Sequence, residues 1–224
     1  MSISRNKRPG GSSQLVLVGA GGHAREVLAL VRAGVLPPAP AHVLGAVDDG
    51  SPDPEVLERI SLRNLGGTEE LARFPGARFT VGIGSGSIRL ELAERALDAG
   101  LVEATLVSAQ AHIGPDVRMH EGCVVFPFAT VTTNIELGSH THVGRGAAVG
   151  HDSQLGPGVT VMPNASVSGN VTIGARSTIG TGAAVIQGVA IGSDVMVGAG
   201  AVVVRDVPDG VTVVGSPARP LPTR

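Results

Sequence analysis

The chain has very few aromatic side chains: its 224 residues include four Phe, no Tyr and no Trp. Proteins that bind single-stranded nucleic acids stack bases on aromatic rings, so this scarcity argues against that class. A single cysteine, Cys123, cannot form an internal disulfide, which fits a reducing compartment. A net charge of −2 provides no basic surface for nucleic acid or for an anionic membrane.

Long apolar runs are also missing. No stretch approaches the roughly 18 apolar residues of a membrane span, and the run at residues 15–18 is too short for the core of a signal peptide. We therefore expect a cytoplasmic protein without membrane contact, whose residues 1–14 form a disordered tail. With 33 Gly and 42% hydrophobic residues, the chain must build its core from Val, Ile, Leu and Ala.

Residues 15–105 alternate between strand and helix patterns. Gly34 is a natural stop for the first helix, and Thr68, followed by two glutamates, predicts a helix N-cap. This order predicts an α/β domain with a small parallel, Rossmann-like sheet. The predicted strands are residues 15–18, 43–47 and 79–83, and the predicted helices are residues 23–32 and 88–99.

Residues 106–224 contain a six-residue repeat. From Val107 to Val203, all 17 positions at steps of six are aliphatic or Met. Three places after each of them, 13 of the 17 residues are Gly, Asn or Asp, which tolerate a left-handed backbone conformation best. A corner and two inward positions in every six residues are typical of a parallel β-helix and fit no α-helical period. Cys123 falls at a small inward position and is predicted to lie in the core.

The sequence resembles the sialic acid O-acetyltransferase (NeuD) family of sugar acetyltransferases, which includes the PglD-like enzymes that N-acetylate nucleotide-linked 4-amino sugars. The resemblance rests on the repeat, on Gly150-His151-Asp152, and on the segments VGAGGHAR (residues 18–25) and VGSPAR (residues 214–219). It implies a left-handed β-helix and a homotrimer with active sites between neighbouring β-helices. It further implies acetyl-CoA as co-substrate in the groove, a sugar nucleotide on the N-terminal domain, and no metal.

Three residues at the corners of the repeat are the catalytic candidates. His151 lies outside both inward positions, and acetyl transfer needs a base that titrates near neutral pH; the resemblance aligns His151 with the family's catalytic base. Asp152 could hold the imidazole in one tautomer, although the corner position by itself also favours Asp. Gly169 follows His151 by 18 residues, one coil if three strands complete a turn. The resemblance implies that the Gly169 N–H polarises the thioester carbonyl.

Glycine amides at a helix N-terminus form a phosphate cradle, but the front segment is not a complete GxGxxG motif, and a tight turn explains it equally well. Acidic residues after the second strand often meet a ribose or a base, and the resemblance implies that this position faces uracil, with His23 and Arg25 near the diphosphate. The predicted substrate contacts are Gly19, Gly21, Gly22, His23, Arg25, Asp48, Asp49, Gly84 and His142. The predicted acetyl-CoA contacts are Thr160, Gly169, Gly188, Ala201 and Arg219.

The leading hypothesis is acetyl-CoA-dependent N-acetylation of a nucleotide-linked amino sugar of the UDP-4-amino type. The sequence departs from the family at Gly144-Arg145, where relatives often carry Asn-Thr, and at Thr160, where they often carry His. O-acetylation of sialic acid or another sugar therefore stays open. His112, His120, His140 and His142 leave a metal-dependent hydratase of the γ-carbonic anhydrase kind as a weaker alternative, and a non-catalytic solenoid is another. His140 and His142 could help to bind the acceptor, as the substrate contact predicted for His142 requires, but we expect both to be solvated corner residues.

Overall fold

The structure is a computed structural model that describes residues 13–37, 39–40 and 42–221. Most of the predicted tail therefore lies outside the described residues, and its last residue, Gln14, begins the first strand. Two regions follow one another along the chain. The first alternates strands and helices, and the second stacks short strands in three sheets from Leu106 onward.

The N-terminal region is a four-stranded parallel sheet with helices between its strands, in the order β2-β1-β3-β4. This arrangement confirms the prediction of a Rossmann-like α/β domain. Its strands are β1 (Gln14–Val18), β2 (His42–Val47), β3 (Arg78–Val81) and β4 (Val102–Glu103). Its helices are α1 (Gly22–Ala33), α2 (Pro54–Arg59) and α3 (Gly86–Asp98), with a 3₁₀ helix at Thr68–Arg73.

Two predicted helix ends had different outcomes. Helix α1 ends as predicted at Gly34, whose φ of 111° suits glycine and whose N–H bonds the Leu30 carbonyl. The prediction for Thr68 was wrong, because Gly67 is the N-cap of the 3₁₀ helix. The Thr68 N–H and hydroxyl instead donate to the carboxylate of Asp49, at 2.6 and 3.0 Å, so Thr68 ties down the loop after β2.

The second region is a prism with three faces, each a parallel ladder, which confirms the predicted parallel β-helix. Successive strands of a face are 18 residues apart, except at the last coil, where the step is 16. The first face contains Leu106–Val107, Val124–Val125, His142–Val143, Thr160–Val161, Thr178–Ile179, Met196–Val197 and Thr212–Val214, with Arg219–Pro220 antiparallel at its end. The second face contains His112–Ile113, Thr130–Val131, Ala148–Val149, Ser166–Val167, Ala184–Val185 and Val202–Val203. The third face contains Val117–Met119, Ile135–Leu137, Gln154–Leu155, Thr172–Ile173 and Ala190–Ile191.

The six-residue pattern predicts the backbone conformation of the corners. Of the 17 positions three places after an inward residue, nine non-glycine residues and six glycines have positive φ; the exceptions are Gln110 and Asp206. The inward positions form one continuous core, and only Ile113 among the 17 is partly exposed. Cys123 lies in this core as predicted, and burial raises the pKa of its thiol to about 12.

The N-terminal region covers the outer side of the first face. Leu106, Val124 and Phe126 point away from the prism core, yet they are buried in one cluster with Leu28 of α1 and Ala104. Apolar residues at outward positions are therefore explained by contact between the two regions. This contact determines which part of the prism lies beside the carboxyl ends of the strands of the N-terminal sheet.

Candidate active site

His151 lies at the edge between the second and third faces, which we call the His151 edge. Its side chain is half exposed, and its Nδ1 is 2.6 Å from Oδ2 of Asp152. Because a carboxylate only accepts, this contact makes Nδ1–H the donor and leaves Nε2 as the unprotonated ring nitrogen of the neutral imidazole. The side chain is thus held in the tautomer that a general base requires.

Gly169 lies directly beside His151 on the next coil, as the 18-residue spacing predicts. A Cβ added at Gly169 would collide with Nε2 of the imidazole, so any larger residue here would displace this ring. The following residue, Asn170, donates its N–H to the His151 carbonyl at 2.6 Å. Within the part of the chain that the structure describes, the Gly169 N–H bonds no other group, and it is available to a ligand at this edge.

Asn134 contacts the candidate site and was not among the residues predicted from the sequence. Its Nδ2 donates to Oδ1 of Asp152 at 2.6 Å, so that Asn134, Asp152 and His151 form a hydrogen-bonded chain along the edge. These two bonds hold the pKa of Asp152 below its usual range and keep it ionised. The signal was present, because Asn134 precedes Asp152 by one coil. Asp152 also has a φ of 58°, the left-handed conformation that favours Asp at a corner of the repeat. The same residue therefore turns the corner and holds the His151 ring.

The glycine-rich turn at residues 19–22 and the acidic pair Asp48 and Asp49 meet at the carboxyl ends of β1 and β2. Asp48 accepts the Ala20 N–H with Oδ2 and the Gly50 N–H with Oδ1, at 2.7 and 2.8 Å, and so clamps both loops. The two hydrogen bonds from Thr68 lower the pKa of the Asp49 carboxyl. Both carboxylates therefore already have partners within the chain.

Two cavities open on either side of Asp48. One, of about 340 Å³, is lined by residues that include Gly21, Arg25 and Asp53. The other, of about 370 Å³, is lined by residues that include Gly19, Asp49, Ile83, Ile88 and Arg95. Both lie at the edge where open α/β sheets bind ligands.

Only one of the three glycines in the front turn is required by the fold. Gly19 has a φ of 102° and lies against Ile83. Gly22 is the first residue of α1 and has only the tip of Arg25 nearby, while a Cβ at Gly21 would meet nothing within 4 Å. The chain itself thus gives no steric reason for glycine at Gly21, which leaves open space beside the helix N-terminus.

A third cavity, of about 320 Å³, lies at the edge between the first and second faces and is closed on one side by α1. In its wall, Nε2 of His23 is 2.9 Å from Nδ1 of His142 and the two rings stack. His142 is 1% exposed, and its Nε2 has no partner among the described residues. Glu26 and Arg145 form an ion pair of 2.7 Å across the cavity mouth.

His140 and His142 are buried, so the expectation of solvated corner residues was wrong. His140 is 4% exposed and stacks on Phe79 of β3, because the N-terminal region packs on this part of the prism. Burial and the nearby Arg89 cation lower the pKa of His140 to about 4 and that of His142 well below its ordinary value. The same two causes lower the pKa of His23, against a smaller opposite effect of Glu26.

The predicted acetyl-CoA contacts do not lie together in one chain. Gly188 lies on the His151 edge, where its N–H bonds the Gly169 carbonyl. Thr160 is buried on the first face and bonds Arg89 and Gly84, although it also lines the 320 Å³ cavity. Arg219 lines a cavity of about 160 Å³ at the end of the prism, as does Arg205.

The prediction for Ala201 needs correction. Its side chain is fully buried in the prism core, because Ala201 occupies an inward position of the repeat. Its N–H bonds Gly198 and its carbonyl accepts from Ala184, so both backbone groups already belong to the coils. Ala201 is a core residue with no surface for a cofactor.

The histidines of the hydratase alternative lie on different parts of the prism. His112 is exposed on the second face and His120 pairs with Glu136, while the other two are buried under the N-terminal region. Across residues 13–37, 39–40 and 42–221, no group of three or more His, Cys, Asp or Glu side chains could hold a metal ion. Across the same residues, no helix has the length and apolar character to cross a bilayer.

A Rossmann-like domain joined to a hexapeptide prism, with a histidine beside a glycine amide at one edge, defines a hexapeptide-repeat acyltransferase. The family described as "PglD N-terminal domain" matches residues 14–96, and "Bacterial transferase hexapeptide (six repeats)" matches residues 152–187. The chain belongs to the PglD-like family of hexapeptide-repeat acetyltransferases, as the sequence motifs predict. A comparison with curated protein sequences found no match.

Several solved structures of this family are similar over nearly their whole length. The acetyltransferase domain of PglB from Neisseria gonorrhoeae, in complex with acetyl coenzyme A, is 35% identical with a TM-score of 0.84, covering 94% of this chain and 100% of that one. PerB from Caulobacter crescentus, in complex with CoA and GDP-perosamine, is 35% identical with a TM-score of 0.84, covering 96% and 99%. WeeI from Acinetobacter baumannii is 30% identical with a TM-score of 0.80, covering 92% and 99%.

Proposed function

We propose that the chain transfers the acetyl group of acetyl-CoA to the amino group of a nucleotide-linked amino sugar, with His151 as general base. The observation that carries this proposal is the hydrogen-bonded chain from Asn134 through Asp152 to His151, beside the free N–H of Gly169. The acetyltransferase domain of PglB, covered to 100%, was solved with acetyl-CoA, and PerB, covered to 99%, with CoA and GDP-perosamine. The acceptor in the PerB structure is linked to GDP, whereas the sequence predicts a UDP-linked acceptor for this chain; the UDP type therefore stays a prediction.

In this mechanism, Nε2 of His151 accepts a proton from the sugar amine as its nitrogen attacks the thioester carbonyl carbon. Negative charge develops on the carbonyl oxygen, and the Gly169 N–H is the donor that stabilises it. The carbon–sulfur bond then breaks, and the imidazolium returns its proton to the departing CoA thiolate. Asp152, ionised and bonded to Nδ1, stabilises the imidazolium between the two proton transfers.

Acetyl-CoA would run along the His151 edge. Residues 18 apart stack at about 4.8 Å, so Gly169 and Gln187 follow His151 in one column. Arg205 lies at the same edge one coil further, where the corner is two residues shorter. Arg205 is then about 14 Å from the reacting atoms along this edge, and its exposed guanidinium suits a phosphate group of the cofactor. Arg205 was not among the acetyl-CoA contacts predicted from the sequence.

The sugar nucleotide would bind at the carboxyl ends of β1 and β2. The open space at Gly21, beside the N-terminus of α1, suits a diphosphate that approaches the backbone closely. Asp49 and Arg95, 3.8 Å apart in the larger cavity, offer an acceptor and a donor for the edge of a base. His23 and His142 offer neutral ring nitrogens to sugar hydroxyls in the third cavity.

One chain alone does not complete this site, which supports a homotrimer. His151 belongs to the edge between the second and third faces, whereas the His23–His142 cavity belongs to the edge between the first and second faces. A neighbouring copy that brings its His151 edge to this cavity would unite base, cofactor and acceptor. In such an assembly, Thr160 would face the cofactor of a partner subunit.

The test is release of thiol from acetyl-CoA in the presence of UDP-4-amino sugars, GDP-4-amino sugars or free sialic acid. We expect turnover with an amino sugar nucleotide, and a loss of about 10²-fold or more in His151→Asn, because the general base is removed. His112→Asn is the matched control, since His112 is an exposed prism histidine distant in sequence from the site.

Full activity of a folded His151→Asn variant would remove this residue from the mechanism. Gly169→Ala, which pushes a methyl group into the imidazole, should cause a loss of similar size, while Ser139→Ala at another edge should not. Turnover with sialic acid and with no amino sugar would favour O-acetylation instead.

A further inference from the structure

Arg89 of α3 is a fully buried cation that forms no ion pair with a carboxylate within the described residues. Burial lowers the pKa of its guanidinium to about 10, so it is still charged at neutral pH. Its donors are satisfied by neutral oxygens: those of Ile83, Gly84, His140, Gly158 and Val159 in the backbone, at 2.8 to 3.2 Å, and Oγ1 of Thr160 at 2.9 Å.

These acceptors come from both regions of the chain. Ile83 and Gly84 form the turn that follows β3, while His140, Gly158 and Thr160 belong to the prism. Thr160 also donates from Oγ1 to the Gly84 carbonyl at 3.2 Å, so the same turn is bonded to the first face directly as well as through Arg89. One planar guanidinium therefore joins the N-terminal region to two successive coils.

The backbones approach closely at this junction. A Cβ added at Gly86, the first residue of α3, would collide with the carbonyl oxygen of Gly158. Glycine is required here by contact between the regions, since its backbone is that of the first turn of a helix. The N-terminus of α3 is thus pressed against the corner whose carbonyl Arg89 bonds.

A buried charge is a costly way to hold two surfaces together, because apolar side chains of similar volume often stabilise an interface as well or better. The hydrogen bonds of a guanidinium are directional, whereas an apolar contact is not. Its five N–H groups lie in one rigid plane and therefore fix where their acceptors must lie. A residue of this kind sets the angle and register between the two regions.

The location of Arg89 connects the two halves of the proposed site. Ile83, next to Gly84, lines the cavity that contains Asp49, whereas Thr160 lines the cavity that contains His142. His142 and Thr160 are also partners in register on the first face. A shift at Arg89 would therefore move the nucleotide cleft relative to the prism.

We propose that Arg89 is a positioning residue, which fixes the sugar-nucleotide cleft of the N-terminal region against the prism so that the bound acceptor reaches the transfer site in register. This inference rests on the proposed function, because the acceptor is the group that is positioned. Arg89 contacts neither ligand. Its charge has a second consequence: burial is the main cause that lowers the pKa of His23, His140 and His142, and the Arg89 cation lowers it further, which favours the neutral form of these histidines.

The test uses the full chain with Arg89→Met and Arg89→Lys, and Arg73→Met as the control, since Arg73 is an exposed arginine of the N-terminal region outside the proposed site. We expect kcat for acetyl transfer to fall about 10²-fold in Arg89→Met, because small misplacements of a bound reactant cost about this much. Binding of the nucleoside diphosphate alone and the KM for acetyl-CoA should change about threefold or less, since their contacts lie within one region. Lysine, which lacks the planar fork, should restore only part of kcat.

A residue with only a structural role would not lower kcat while leaving nucleoside diphosphate binding and the KM for acetyl-CoA nearly unchanged. We also expect guanidinium chloride at millimolar concentration to restore activity to Arg89→Met more than an equal concentration of sodium chloride does. If Arg89→Met does not fold, Gly86→Ala, which pushes α3 away from Gly158, should give the same combination of effects, with Ser85→Ala as its control.

An active wild type with an equally active, folded Arg89→Met variant would overturn the positioning role alone. A wild type that acetylates no amino sugar nucleotide would overturn the proposed function. Hydrogen exchange is then the remaining test of the junction: Arg89→Met should exchange faster at residues 83–86 and 158–160 than the wild type, and unchanged exchange there would overturn the inference.

Discussion

The two regions of this molecule differ in how much of each side chain's environment is set by its place in the sequence. In the prism, the position of a residue within six decides whether it points inward, outward or turns a corner. In the N-terminal region, strand and helix patterns predict the elements, but the partners of Asp48 and Arg89 depend on loops and on the prism. A repeat transmits its geometry from coil to coil, whereas a single α/β domain meets each contact once.

The difference decides how each half of the candidate site could be found. His151 and Gly169 were located by counting 18 residues, because each coil repeats the previous one. His142 and Thr160 obey the same count, yet their burial results from the N-terminal region lying on them. Counting therefore finds columns of residues, and only the packing of the two regions shows which columns are covered.

The largest difference between the two regions should appear in their tolerance of a one-residue insertion. An Ala inserted between Thr178 and Ile179 reverses the inward and outward positions of a prism strand, so we expect loss of folded, soluble protein. The same insertion between Ser51 and Pro52, in an exposed loop of the N-terminal region, should leave a folded protein. Soluble yield and circular dichroism would measure both, and a stable strand insertion would contradict the strict repeat.

Acid should destabilise the protein through the junction of the two regions, where His140 is buried, and so distinguish this junction from the exposed parts of the prism. The pKa of His140 is about 4 in the folded protein and about 6.5 when unfolded, so between these values the unfolded chain binds the extra proton. The free energy of unfolding should therefore fall by about 1 kcal/mol per pH unit from pH 6.5 toward 4, where this contribution stops changing.

Urea unfolding at several pH values tests this prediction. His140→Asn, which tolerates the φ of 55°, should flatten the pH dependence, whereas His120→Asn at an exposed position should not. An unchanged slope in His140→Asn would show that other groups cause the acid sensitivity.

A corner substitution should have the smallest effect. Phe128 has a φ of 62° and is 68% exposed, so Asn, which adopts this conformation more easily, should stabilise the protein by about 1 kcal/mol. Thermal unfolding would measure the change, and Thr133→Asn at an ordinary corner residue is the control. A destabilised Phe128→Asn would indicate that Phe128 packs against another copy of the chain.

Sequence reasoning was weakest at residues whose contacts lie far from them in the sequence, although one error, at Ala201, was avoidable. Thr68 has the sequence pattern of an N-cap, but the Asp49 carboxylate is the stronger acceptor for its N–H and hydroxyl. Ala201 was assigned to the cofactor although its inward position in the repeat already predicted the core. Nothing near Arg89 in the sequence indicates that prism carbonyls surround it.

The sequence by itself determined the coils, their corners and the column in which His151 meets Gly169, because a six-residue period acts through local backbone geometry and neighbouring coils. Only the tertiary structure decided that His140 and His142 are buried and uncharged, and that Arg89 joins the two regions. Those features arise from surfaces brought together by folding, where the loss of water changes the energy of every charge and every unpaired polar group.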